Sequence, residues 1–88
     1  MLDAQYDDTV HFDELVPLGG IVYSWLRVKD APHVRVQVSR KFVEDVWNVD
    51  WGDKNSVERE FRLRRGGYMD AAMKSTGGGP DYRVYEIG

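Results

Sequence analysis

Two adjacent runs of hydrophobic residues carry the patterns of β-strands. Residues 21–28 read IVYSWLRV and are rich in the β-branched and aromatic side chains that suit a pleated strand. A turn signal follows at residues 29–32, and residues 33–38 then alternate strictly between polar residues and valines. A period of two indicates a half-buried strand. The short spacing between the two runs predicts an antiparallel hairpin.

A helical pattern replaces the strand pattern directly after the hairpin. Ser39 belongs to the residue types that favour the N-cap position of a helix. The apolar residues that follow it are Phe42, Val43, Val46 and Trp47. Their spacing places them in one stripe along a helix, so the pattern predicts a short helix that packs this stripe against the core.

A second, longer helix is predicted to begin near Asn55 or Ser56. Asn55 and Glu58 have the spacing of a variant capping box, which satisfies the free N–H groups at the start of a helix. The predicted buried stripe consists of Val57, Phe61, Tyr68, Met69, Ala72 and Met73. Gly66 and Gly67 interrupt this segment, and each glycine costs a helix about 1 kcal/mol relative to alanine. The helix is therefore predicted either to kink there or to be approached closely by another stretch of backbone.

The order of these elements predicts the fold class. The sequence TGGGP at residues 76–80 ends the helical segment, and residues 82–87 have the composition of a last strand. The order β-β-α-α-β predicts an α+β fold of two layers, in which two helices cover one face of a small antiparallel sheet. Residues 21–88 are interpreted as a single domain, and residues 1–20 as an acidic N-terminal arm with a short strand near residues 9–12.

Composition excludes several classes of function. The chain contains no cysteine, which excludes disulfides, thiolate catalysis and cysteine-ligated zinc or iron–sulfur centres. No signal-peptide pattern is visible, and no apolar run approaches the roughly 20 residues that span a bilayer. With a net charge of −3, the sequence is typical of a small acidic cytoplasmic protein without membrane association.

Several residues match the pattern of a known family. A strand from Val34 runs into a Ser-x-x-Phe-Val segment at residues 39–43, as in the family's strand and short helix. The further matching residues are Tyr6, Asp7, Phe61, Arg65, Tyr68, Ala71, Ala72 and Lys74. From about Val34 to the C-terminus, the chain resembles a small bacterial family, the domain of unknown function number fourteen eighty-eight. The resemblance implies a two-layer fold with helices on a small antiparallel sheet, and it implies no activity because none is assigned to the family.

No motif for catalysis, metal binding or cofactor binding is found in the sequence. His11 and His33 have no spacing that would place them beside a carboxylate on one helix face. The acidic residues between positions 50 and 58 lack the ligand spacing of a calcium loop, and helix capping is the favoured interpretation. The glycine pairs lack phosphate-binding motifs, and no nucleophile elbow is present. The sequence therefore predicts a protein that is not an enzyme and uses no cofactor or metal.

The run FRLRRGGY supports an alternative hypothesis of nucleic-acid binding. The candidate residues are Arg59, Arg62, Arg64, Arg65 and Tyr68. Arginine pairs with phosphate, and an aromatic ring can stack on a base. A competing interpretation is that Glu58 pairs with Arg62 four positions later, the favourable orientation on a helix. Glu60 and Arg64 have the same spacing, and Arg65 is then expected to face inward and to hydrogen-bond the backbone.

The favoured functional hypothesis is a protein-binding module. Trp51 lies in a polar loop and is predicted to be the most exposed of the three tryptophans, and exposed tryptophans are frequent interface hot spots. Asp50 and Asp53 would form an acidic rim around it, although Trp51 folding back over the first helix is the alternative. Such a protein would act as an adaptor, modulator or inhibitor of a larger complex, as small acidic proteins of bacteria and phages can. A free sheet edge would also permit a homodimer.

Overall fold

The computed structural model describes residues 3–15 and 19–88, so residues 1–2 and 16–18 of the predicted arm lie outside the described residues. Its strands are β1 (Ala4–Tyr6), β2 (His11–Asp13), β3 (Ile21–Val28), β4 (Val34–Ser39) and β5 (Arg83–Ile87). These five strands form one sheet, and helices pack on one of its faces, so the fold is α+β. None of the described helices is long and apolar enough to cross a membrane.

The central hairpin consists of β3 and β4, as the sequence predicts. The two strands pair antiparallel from Ile21 opposite Ser39 to Leu26 opposite Val34. The turn between them contains Asp30 with a φ of 57°, a left-handed conformation that Asp tolerates better than most residues. All three valines of β4 are fully buried, so the strict alternation in its sequence separates a core face from an outer face.

The predicted arm contributes two strands to the sheet. Both β1 and β2 pair antiparallel with β3, along the edge of β3 that faces away from β4. Residues 7–10 separate the two strands, and the Asp7 N–H donates to the carbonyl of Trp25 at 2.9 Å within this gap. β1 and β2 therefore form one interrupted edge strand. The short strand predicted near residues 9–12 corresponds to β2, whereas β1 carries no pattern long enough to predict it.

The sheet is mixed, and the prediction of a purely antiparallel sheet is wrong for one pair of strands. β5 runs parallel to β4, with Val34 opposite Arg83 and Val38 opposite Ile87. Parallel neighbours need a crossover connection of about a dozen residues or more, which is usually helical. The helical segment between β4 and β5 provides this connection, and it returns the chain to the end of the sheet from which β4 starts.

The helical segment is divided into three helices and a turn. α1 (Arg40–Asp45) is capped by Ser39 as predicted, since the Ser39 hydroxyl accepts the Phe42 N–H at 3.1 Å. α2 (Lys54–Arg65) begins slightly earlier than predicted. Its cap is Asp53 rather than Asn55, because the Asp53 carboxylate accepts the N–H of Ser56 at 3.2 Å. The chain continues as a 3₁₀ turn (Gly66–Tyr68) and then as α3 (Met69–Met73), which is the kink predicted at the two glycines.

The core lies between the helices and one face of the sheet. The sheet contributes Ala4, Val22, Leu26, Val34, Val36, Val38 and Ile87, and the helical segment contributes Val43, Trp51, Val57, Phe61 and Ala72. One predicted core position is exposed in the structure, and several others, among them Tyr68, are only partly buried. Val46 is 58% exposed because α1 ends at Asp45, before its second turn is complete. Tyr68 is only partly buried, since it lies in the 3₁₀ turn rather than in a continuous helix.

Replacement of Gly67 by alanine is expected to stabilise the domain. The φ of Gly67 is negative, and a methyl group added there would meet no atom within 4 Å. Alanine restricts the unfolded chain more than glycine does, so Gly67→Ala should raise the free energy of unfolding by about 0.4–1 kcal/mol. The midpoint of thermal unfolding, measured by circular dichroism, should rise by about 2–8 °C.

The matched control for this substitution is Gly78→Ala. Gly78 has a φ of +108°, and an added Cβ would lie 2.7 Å from the carbonyl oxygen of Tyr82. The same chemical change is therefore expected to lower the midpoint at this position. A lower midpoint for Gly67→Ala as well would show that the 3₁₀ turn requires glycine.

Candidate binding surface

Trp51 is buried, and the prediction that it is exposed is wrong. Only 2% of its surface is accessible. Residues of the N-terminal segment cover the ring, with Phe12 packed edge-on at a centroid distance of 5.7 Å. The indole N–H donates to the Glu14 carboxylate at 3.0 Å, and the Lys54 ammonium lies 4.2 Å from the ring centroid. The tryptophan therefore fastens the N-terminal segment to the start of α2.

Glu14 completes this cluster by joining Trp51 to Lys54. Its carboxylate accepts the indole N–H and lies 2.6 Å from the Lys54 ammonium. The hydrogen bond from Lys54, followed by the one from Trp51, holds the pKa of Glu14 below its usual value. Gly20 makes the close packing possible, because a Cβ there would lie 3.2 Å from the indole and the residue has a φ of +120°.

Asp50 and Asp53 are exposed, but both carboxylates bind the backbone of their own loop and helix. The Asp50 carboxylate accepts the Gly52 N–H at 3.0 Å. The Asp53 carboxylate caps α2, and hydrogen bonds from the hydroxyl and then the N–H of Ser56 hold the pKa of Asp53 below its usual value. The predicted acidic rim therefore surrounds a buried side chain, so these three residues do not form an aromatic anchor at the surface.

The predicted arginine site does not form one continuous surface. The Arg62 guanidinium pairs with Glu58 at 3.0 Å, in agreement with the interpretation as a helix ion pair. Arg64 pairs with Glu60 at 2.6 Å, and its guanidinium lies 4.7 Å from the ring of Trp47. An acidic partner within the helix offsets part of the positive charge that a phosphate would meet, so these two arginines attract a phosphate less than unpaired arginines would.

The other three residues of the predicted arginine site lie in different surroundings. Arg59 is exposed and only 3.8 Å from Glu60, Arg65 lies 4.9 Å from the ring centroid of Tyr6, and Tyr68 packs beside Tyr85 at 6.2 Å. Arg65 therefore faces inward, as the alternative interpretation expects, although it contacts a ring rather than donating to backbone.

Tyr6 links β1 to the end of α2. Its hydroxyl donates to the Arg65 carbonyl at 2.7 Å. Burial is the main cause that raises the pKa of Tyr6, to about 12, and the nearby Arg65 charge opposes this shift. The contact between Tyr6 and Arg65 therefore holds β1 against the end of α2, and Arg65 differs in this from the exposed arginines of the predicted site.

The outer face of the sheet carries an unusual set of side chains. We call this surface the open face, and define it by Ile21, Tyr23, Trp25, Arg35, Gln37, His11 and Tyr82. All seven residues are partly accessible, because the helices pack on the opposite face. An antiparallel sheet with one solvated face usually carries polar residues there. The outer positions of β3 are instead Ile21, Tyr23 and Trp25, followed by Arg27.

The aromatic side chains of the open face form a connected cluster. The His11 and Tyr23 rings stack at a centroid distance of 5.0 Å, with 19° between their planes. The Arg35 guanidinium lies 3.9 Å from the Tyr23 centroid. Because β2 and β4 flank β3 on opposite sides, His11 and Arg35 cover opposite faces of the Tyr23 ring. Trp25 packs edge-on against Tyr23 at 6.2 Å and against Tyr82 at 5.1 Å.

Charged residues surround this aromatic cluster. Arg27 forms a 2.5 Å ion pair with Asp7, and Gln37 donates to Glu86 at 2.9 Å. A shallow groove of about 340 Å³ runs along one side of Trp25. Its lining residues are Asp7, Trp25, Arg27, His33, Asp81 and Tyr82. The open face therefore combines an aromatic centre with a rim that contains several carboxylates.

The outer edge of β5 is partly covered by the preceding loop. The Val84 N–H donates to the Gly77 carbonyl at 2.9 Å, and Gly78 forms an isolated bridge with Arg83. A second chain that adds to this edge would meet free backbone groups only along the remainder of the strand. The homodimer predicted through a sheet edge would thus have a short contact available to it at β5.

Sequence reasoning did not identify the open face, although one signal was present. β4 alternates between apolar and polar residues, whereas its neighbour β3 is apolar or aromatic at every position from Ile21 to Leu26 except Ser24. Such a run is typical of a strand that is covered on both faces. In a chain with too few helices to cover both faces, the same run indicates an aromatic surface that is left accessible.

The chain was compared with family models, with curated proteins and with solved structures, and no match was found in any of the three. The resemblance to the domain of unknown function number fourteen eighty-eight therefore stays a prediction.

Proposed function

We propose that this protein is a small cytosolic protein-binding module without catalytic activity, which acts as an adaptor, modulator or inhibitor through its open face. The observation that carries the proposal is the partly accessible aromatic cluster of Tyr23 and Trp25 on a sheet face that the helices leave uncovered. Tyrosine, tryptophan and arginine are enriched in protein interfaces and among their hot spots. The open face presents all three side by side.

The geometry of Tyr23 favours a protein partner over a nucleic acid. Base stacking requires an accessible ring face, and His11 and Arg35 occupy the two faces of Tyr23. Carboxylates on the rim, among them Asp81 and Glu86, oppose a polyanion. A protein surface can instead pack against ring edges and aliphatic groups, which makes it the better match for this cluster.

The replacement of Trp25 by threonine is expected to remove partner binding while the domain stays folded. Trp25 is partly accessible, and threonine suits a strand. Tagged wild-type and variant proteins would be used to capture partners from the lysate of the native host, with and without nuclease. The wild type should retain a stoichiometric protein partner after nuclease, and Trp25→Thr should lose it. Circular dichroism checks that the variant is folded.

Leu63→Gln provides the matched control on a different surface. Leu63 is 72% exposed on α2, beside Arg59 and Arg62. This variant should retain the partner. Loss of the partner in Leu63→Gln but not in Trp25→Thr would place the interface on the helix and overturn the proposal. Partners that disappear with nuclease would favour the nucleic-acid alternative instead.

A further inference from the structure

Arg35 occupies the middle of the open face. It lies on β4, directly opposite Trp25 of β3 on one side and Val84 of β5 on the other. Its guanidinium is held 3.9 Å from the Tyr23 centroid, a cation–π contact that orients the group. A guanidinium that is already held against a ring loses little further freedom when it binds a ligand, so it is well placed for recognition.

The hydrogen-bonding capacity of Arg35 is not filled by the protein. Most other arginines of the described chain have oxygen partners, such as Asp7 for Arg27 and three backbone carbonyls for Arg83. Among the described residues, Arg35 forms no ion pair and its side chain makes no hydrogen bond. Its Nε is covered by the protein, as are an unpaired nitrogen of Arg65 and one of Arg83, so a partner would meet the two terminal nitrogens of the Arg35 guanidinium. A carboxylate is the acceptor whose geometry fits a guanidinium best.

The charges around Arg35 define the rest of the partner. The acidic residues toward the rim of the open face are Asp13, Asp81 and Glu86, together with Asp7, which Arg27 already pairs. A partner that complements this arrangement carries one carboxylate in the middle and basic residues around it. A chain of phosphates would be repelled by the acidic rim. A second copy of the protein, docked about a twofold axis through the middle of the face, would bring two positively charged Arg35 side chains together, which is also unfavourable.

We infer that Arg35 recognises a carboxylate on a protein segment in which apolar residues flank the acidic one and basic residues lie outside them. This inference rests on the proposed function, since it names the partner chemistry of the same open face. The apolar residues pack against Trp25 and Tyr23, the carboxylate binds the Arg35 guanidinium, and the outer basic residues pair with the acidic rim.

The test uses two capped peptides that differ in one group. The first is acetyl-Lys-Leu-Glu-Leu-Lys-amide, and the second carries Gln in place of Glu. Each is titrated into the ¹⁵N-labelled full chain, and the Arg35 Nε–H and the Trp25 indole N–H signals are followed by NMR. The Glu peptide should shift both signals and bind about tenfold or more tightly than the Gln peptide.

Arg35→Gln should abolish this difference between the peptides, and Arg35→Lys should reduce it because lysine lacks the planar fork. Arg27→Gln is the matched control, since Arg27 already pairs with Asp7, and it should preserve the difference. Equal binding of the two peptides, no shift with either, or a preference for oligo(dT) over the Glu peptide would each overturn the inference.

The capture experiment separates this inference from the proposed function. A partner that is lost from Trp25→Thr but retained by Arg35→Gln would leave the open face as the binding surface and overturn the role of Arg35. A partner retained by Trp25→Thr would overturn the proposed surface itself.

Discussion

The Trp51→Ala substitution is expected to lower the free energy of unfolding by about 3–5 kcal/mol. Trp51 is only 2% exposed, and its indole contacts Phe12, Glu14 and Lys54. Truncation would leave a cavity and remove the hydrogen bond to Glu14 at the same time. Since small domains have total stabilities at the low end of about 5–15 kcal/mol, most of the native stability would be lost.

Urea unfolding, followed by circular dichroism, measures this loss directly. Trp51→Phe keeps a ring in the cavity but removes the indole N–H, so it should lose clearly less stability than Trp51→Ala. Asp50→Asn, in the same loop but exposed, should change the midpoint little. If Trp51 were exposed, Trp51→Ala would instead weaken partner binding and leave the fold intact. A midpoint equal to that of the wild type would contradict the burial of Trp51.

The second large effect is expected at Phe61. Phe61 is fully buried at the centre of α2 and belongs to the core beneath the sheet. Phe61→Ala should also cost about 3–5 kcal/mol, since the lost contacts and the cavity both contribute. Leu63→Ala is the matched control on the same helix. Leu63 is 72% exposed, so its truncation should change stability by no more than about 0.5 kcal/mol.

Both substitutions are measured by the same urea unfolding experiment. Comparable midpoints for Phe61→Ala and Leu63→Ala would contradict the orientation of α2 on the sheet, because the two residues lie on opposite sides of that helix. A large loss for Phe61 alone would support it.

Local signals in the sequence were sufficient for most of the regular elements. The bounds of β3 were predicted residue for residue, because a β-branched and aromatic run between turn signals is unambiguous. The Ser39 cap was also predicted, since a capping hydrogen bond spans only three residues. Such signals depend on neighbours in the chain, which a single sequence displays.

Features that depend on distant residues were not accessible in the same way. The direction of β5 depends on the path of the helical segment, and no residue within β5 encodes it. Trp51 looks exposed because its neighbours in sequence are polar, yet Phe12 and Glu14 cover it from almost forty positions away. The open face was missed for a related reason, since its aromatic cluster brings together His11, Tyr23 and Tyr82 from separate parts of the chain.

The parallel pairing of β4 with β5 also determines when folding can be completed. Gln37 and Glu86 are hydrogen-bonded although they lie 49 positions apart, so this pairing closes a long loop and is expected to form late. During synthesis, one edge of β4 stays unpaired until residues 83–87 leave the ribosome. An unpaired strand edge promotes association between chains. A chain shortened before β5 is therefore expected to aggregate even though the β3–β4 hairpin and every helix are retained.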